Sequence, residues 1–138
     1  MLKVLLAVDG SKSALQAVRK LIESAHWYKK PIEVELVTVR SPVPHVIVPK
    51  GMIDNYYREE GTKSLAASEN LLDKAKVRYH PQVLVGEIAQ TIVEHAKKSN
   101  CNMIYMGTRG MTAISNLVLG SVATKVLHLA QMPVTLVK

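Results

Sequence analysis

Short, largely apolar runs alternate with stretches of helical apolar spacing along the whole of this chain, and that alternation constrains its fold more than any other feature. Val4 to Val8 is continuously apolar, and the segment after it sets Ala14, Ala17, Val18, Leu21, Ile22 and Ala25 on one helical face, with Ser13 and Gln16 offering a capping box. Ile32 to Val39 reads as a second strand after Pro31; a Pro-containing loop from Ser41 to Gly51 then leads to a helix from about Ile53 to Lys76. Gln82 to Val85 is the third strand, and Ile88, Ile92, Val93 and Ala96 stripe the third helix. Met103 to Met106 forms a fourth strand, Leu119, Val122, Ala123, Val126, Leu127 and Ala130 mark the last helix, and Val134 to Val137 closes as strand five.

Strands that are apolar on both faces and alternate with helices predict a parallel sheet between two helical layers, a three-layer α/β/α doubly wound sandwich. The 138 residues, 48% of them apolar, are enough for one domain over 1–138 and too few for two of ordinary size. No apolar run approaches the roughly 20 residues of a membrane span, and the apolar run ending at Val8 meets Asp9 too soon for a signal peptide, so a cytoplasmic protein with no membrane partner is expected. Cys101 has no second cysteine to bridge to and no CxxC or His neighbour, and is read as a buried thiol.

The net charge of +7 suits an anionic ligand. Lys29-Lys30 and Lys97-Lys98 are expected at helix C-termini, where cations complement the dipole. Aromatics are only 4% and Phe is absent, too few for a platform on which single strands stack, so no specific nucleic-acid partner is expected. Tyr56-Tyr57 beside Arg58, the one aromatic-basic patch, reads as amphipathic rings near a helix start. The histidines at 26, 45, 80, 95 and 128 show neither HxH nor HExxH spacing, and no metal site or catalytic residue is assigned. Asp54, Glu59 and Glu60 suit the positive end of the second helix better than acid-base work.

In sheets of this kind ligands sit outside the carboxyl ends of the strands, where strand order reverses. The stretch from Tyr105 to Leu129 supplies the chemistry for such a site. Gly107, Gly110 and Gly120, with Ser121, stand where a strand becomes a helix. Gly107 and Gly110 permit positive φ and close approach of an anion to the backbone. With Ser115 or Asn116 as the N-cap, Gly120 and Ser121 fall in the first turns of the helix, where unpaired NH groups and the dipole favour phosphate.

As a set, G-x2-G-x9-G-S resembles the nucleotide-binding signature of the universal stress protein family (UspA-like), in its ATP-binding branch. Ala7-Val8-Asp9-Gly10-Ser11 ending the first strand, Val37-Thr38-Val39 ending the second, the Val85-Gly86 turn and the closing Pro133-Val134 also stand where the family pattern has them. The chain departs from it at Ile88, Thr135 and Ala14, where the family often has Pro, an apolar residue and Ser. The resemblance implies an adenine nucleotide alpha hydrolase-like fold with strand order 3-2-1-4-5, and a switch point beside Asp9 and Gly107. By the same resemblance the backbone of Val39 reads adenine, Ala7 and Asp9 line the nucleoside end, and Gly107 lies by the ribose. Gly110, Gly120, Ser121 and Val122 hold the phosphates. Arg109 either supplies a cation to phosphate oxygens or faces solvent, and Asp9 either accepts from a ribose hydroxyl, holds a divalent ion through water, or caps the next helix.

The implied ligand is ATP, with AMP or a cyclic adenine nucleotide as alternatives and Mg2+ accompanying ATP. The implied role is a nucleotide-dependent switch or sensor in stress response, with the downstream protein left open and a homodimer through residues 134–137. The alternatives are a slow ATP hydrolase or another adenine-nucleotide enzyme of the same fold, and a nucleotide-independent interaction protein. The turn Val8-Asp9-Gly10-Ser11-Lys12-Ser13 has one glycine where an SGGxDS-like hydrolase loop has more, and no Walker GxxxxGK[ST] occurs, so ATP turnover is slow at most.

Overall fold

The computed structural model describes residues 1–43, 49–109 and 119–138. Five strands run parallel in one sheet: β1 (Leu2–Ala7), β2 (Ile32–Arg40), β3 (Arg78–Val85), β4 (Met103–Gly107) and β5 (Val134–Val137), in the order β3-β2-β1-β4-β5. The helices are α1 (Lys12–Ser24), continued by a 3-10 turn at Ala25–Trp27, α2 (Lys50–Lys74), α3 (Ile88–Lys98) and α4 (Ser121–Leu129). This is the doubly wound α/β/α sandwich expected.

The period-two alternation of a strand sorts the central residues between two cores. Val4, Leu6, Val8, Val34 and Leu36 pack with Ala17, Val18 and Leu21 of α1 and Leu65 and Leu72 of α2. Leu5, Ala7, Val37, Ile104 and Met106 pack with Ala89, Ile92 and Ala96 of α3 and Ala123 and Val126 of α4. α1 and α2 therefore cover one face and α3 and α4 the other, which leaves the switch point between β1 and β4. Register aligns Ala7 with Val37 on one side and with Met106 on the other, so the chain leaves β1, β2 and β4 at one edge of the sheet.

Several boundaries differ from the sequence reading, each for a local reason. β3 begins at Arg78, four residues earlier than expected, and pairs with β2 along its length. It is an edge strand, so its polar residues stay in water and Pro81 needs no second partner. The cap of α1 is Ser11, not Ser13: its Oγ accepts from the Ala14 N–H at 3.1 Å, after Gly10 has turned the chain with φ +83°. Lys29 and Lys30 lie beyond the 3-10 turn and not in the last turn of a helix, whereas Lys97 and Lys98 do end α3.

Tyr57 anchors the start of α2 through its hydroxyl, which accepts from the Val43 N–H at 2.6 Å, while Tyr56 is exposed beside it. Cys101 is buried as expected; desolvation, with the Glu35 charge second, pushes its thiol up to about 11 and leaves it protonated at neutral pH.

Candidate nucleotide site at the switch point

Two connections leave the switch point between β1 and β4. On the β1 side the chain satisfies its own polar groups. Asp9 Oδ1 accepts from the Ser11 N–H at 2.9 Å, and Ser11 in turn caps α1. The carboxylate thus holds the turn while staying exposed at the end of β1. It does not cap α1 directly, since that place belongs to Ser11.

The β4 side is built differently. Gly107 is buried as the last residue of β4, and its backbone is not among those with positive φ. Its glycine is required by packing: a Cβ there would lie 2.7 Å from the carbonyl carbon and oxygen of Ser13. The first turn of α1 can therefore rest directly on the end of β4. Ser13 completes the join, its Oγ accepting from the Arg109 N–H at 3.3 Å.

Beyond Arg109 the chain leaves and returns at one point. The Gly120 N–H donates to the Thr108 carbonyl at 2.7 Å, and the Thr108 N–H donates to Val137 at 3.1 Å, so β5, β4 and the start of α4 are clamped together. α4 starts at Ser121 with Gly120 as its N-cap, five and four residues after the capping positions expected at Ser115 and Asn116. Those two residues, and Gly110, lie outside the described residues. Gly120 is extended (φ −60°, ψ 153°) and brings no side chain to the cap. Its carbonyl takes the Thr124 N–H at 3.0 Å and the Thr124 hydroxyl at 2.9 Å. Ser121, Val122 and Ala123, in the first turn, have no carbonyl within the helix to donate to.

The expected site residues that the structure describes accordingly fall along one edge. Ala7 ends β1 with Asp9 two residues beyond it, Val39 lies near the end of β2, Gly107 ends β4, Arg109 stands two residues after it, and Gly120, Ser121 and Val122 open α4. Val39 and Arg109 are half-buried. The sequence reading missed Ser13 and Thr108, which join the pieces. In the sequence Ser13 reads as a cap, and Thr108 acts through its backbone, which no side-chain pattern reveals.

At the start of α3, Glu87 Oε2 accepts from the Gln90 N–H at 2.8 Å, and Oε1 lies 3.5 Å from Lys125 Nζ on α4. The Gln90 N–H first, and Lys125 after it, hold the Glu87 carboxyl below the ordinary carboxylate value. Among the described residues no group of three or more His, Cys, Asp or Glu side chains gathers to hold a metal. No helix among them is long and apolar enough to cross a membrane.

Strand order and helix placement define a protein of the adenine nucleotide alpha hydrolase-like fold class. The chain belongs to the universal stress protein family, which it matches over residues 1–138. It is 33% identical to universal stress protein MJ0531 of Methanocaldococcus jannaschii, over 99% of this chain and 81% of that one. To YxiE of Bacillus subtilis it is 30% identical, over 99% and 98%.

Among solved structures, UspA from Lactobacillus plantarum superposes with a TM-score of 0.83 at 17% identity, over 99% of this chain and 97% of that one. The universal stress protein from Archaeoglobus fulgidus in complex with dAMP gives 0.70 at 24%, over 100% and 98%. A universal stress protein in complex with cAMP gives 0.68 at 23%, over 99% and 97%. An Arabidopsis thaliana family member with AMP bound gives 0.71 at 17%, over 100% and 92%.

Proposed function

We propose that this chain, as a single domain over 1–138, binds an adenine nucleotide, ATP in preference to AMP or a cyclic nucleotide, and acts as a nucleotide-dependent switch or sensor in stress response. One observation carries the reading: α4 opens on Gly120, which offers no side chain to its amides, at the same edge where β1 and β4 part. A helix start of this kind favours phosphate through its NH groups and its dipole. Val39 then serves adenine through its backbone, Ala7 and Asp9 the nucleoside, Gly107 the ribose, and Gly110, Gly120, Ser121 and Val122 the phosphates, with Arg109 beside them. The dAMP, cAMP and AMP held by proteins of this fold support an adenine base.

The donor set also fits Mg2+ arriving with ATP. Mg2+ is commonly held by one or two carboxylates together with substrate phosphates, and Asp9 is exposed at the strand end with one oxygen taken by the Ser11 N–H. A bound Mg2+ would neutralise phosphate charge. With no Walker lysine and no general base assigned, turnover of ATP should fall far below the roughly 1 to 1000 per second of ordinary enzymes. Steady-state turnover above about one per second, abolished by a change in the site, would instead favour the hydrolase reading.

The same reading includes a homodimer through β5 in the cytoplasm. β5 is a sheet edge with Val134, Thr135 and Leu136 only half-buried, and Leu127 and Leu129 of α4 are exposed. An open, uncharged edge tends to pair. Light scattering at tens of micromolar should give twice the monomer mass, and a monomer with and without ATP would refute the dimer. The nucleotide itself is tested by mass spectrometry of what the purified protein releases on heat denaturation. Release of ATP supports the reading; release of a non-adenine ligand opposes it.

A further inference from the structure

Resting on the nucleotide reading, we infer that Lys125, held by Glu87, sets how strongly this site discriminates among adenine compounds by the number of their phosphates. Lys125 stands four residues after Ser121 on α4, so the two side chains share one helix face. Side chains on a helix lean toward its N-terminus, which brings the Lys125 ammonium back over the first turn, where the phosphates are assigned. The structure holds it to that side: Nζ lies 3.5 Å from Glu87 Oε1, and Glu87 is fixed by its other oxygen as the cap of α3.

The pair is built to exchange. Its side chains are 62% and 49% exposed, and an ion pair so open to water is weak. A triphosphate offers Lys125 several negative oxygens against the single carboxylate of Glu87. Left in place, the Glu87 charge repels phosphate and occupies the cation. Charge added at the α4 end therefore draws Lys125 from Glu87 in proportion to the phosphates present, and adenosine draws nothing. Glu87 remains ionised at neutral pH, because its cap to Gln90 does not depend on Lys125.

The test is calorimetric titration of adenosine, AMP and ATP into the parent, Lys125→Gln and Glu87→Gln at two salt concentrations. Lys125→Gln should weaken ATP about three- to fivefold, the size of one exposed charge contact, AMP less, and adenosine not at all. Glu87→Gln, whose amide oxygen still caps α3, should tighten ATP by about twofold, with the gain shrinking at high salt. Equal shifts for all three compounds, as a structural disturbance would give, or no shift in either variant, would overturn this inference and leave nucleotide binding standing. A parent that binds none of the three would overturn both.

Discussion

The connections that follow β1 and β4 part at one switch point, yet the helices they lead into start in opposite ways. After β1, Asp9 and Ser11 engage the turn and the first turn of α1 with side-chain acceptors. After β4, Gly120 contributes no side chain, and its one N–H is taken by Thr108. The first arrangement stabilises the fold. In the second no N-cap side chain engages the helix start, which is where phosphate is proposed to bind. α3 resembles α1 in this respect, since Glu87 caps it, so the chain can cap a helix at this edge and does otherwise at α4.

This contrast is broken most severely at Gly107, where the two connections touch. Gly107→Ala puts a methyl group against the Ser13 backbone and should destabilise the protein by about 3 kcal/mol in urea unfolding. A cost below about 1 kcal/mol would show that α1 can move off β4 freely. Ser11→Ala removes a cap and should cost about 1 kcal/mol while ATP affinity holds. If affinity fell as much as stability, the Ser11 cap itself would serve the nucleotide site and the division of roles would fail.

The smallest effect separates α3 from α1. Glu87 has a folded pKa below the ordinary 4.5, so its cap contributes stability at pH values above 4.5 and loses it as pH falls through the lowered folded value. Ser11 carries no charge and its cap is indifferent to pH. Amide exchange followed by NMR should then show the first turn of α3 loosening below pH 4.5 while that of α1 stays protected. Loss of both together would mean global acid unfolding.

Much of this architecture is legible in the sequence because the central strands are buried on both faces and so are continuously apolar. Residues Val4 to Val8 announce a strand by composition alone. The edge strand β3 is only half visible: Arg78, Tyr79 and His80 join it by backbone pairing to β2, and water keeps their side chains polar. Strand order is legible only through the family resemblance, since no spacing encodes which strands are neighbours. At the site, the glycines and Ser121 mark the loop proposed to hold phosphate, but α4 starts later than the sequence suggests. Capping preference points to Ser115 and Asn116, and here a glycine takes the position.

Titration calorimetry of ATP into the parent and Gly120→Val tests the central claim most directly. Gly120 has φ −60°, which valine can adopt, so the substitution adds bulk at the α4 start without forcing the backbone. The parent should bind ATP with micromolar affinity and the variant about tenfold or more weaker, with the variant still folded and its unfolding midpoint lowered only by the poorer cap that valine makes. Equal affinity in the two proteins would contradict the assignment of phosphate to this helix start.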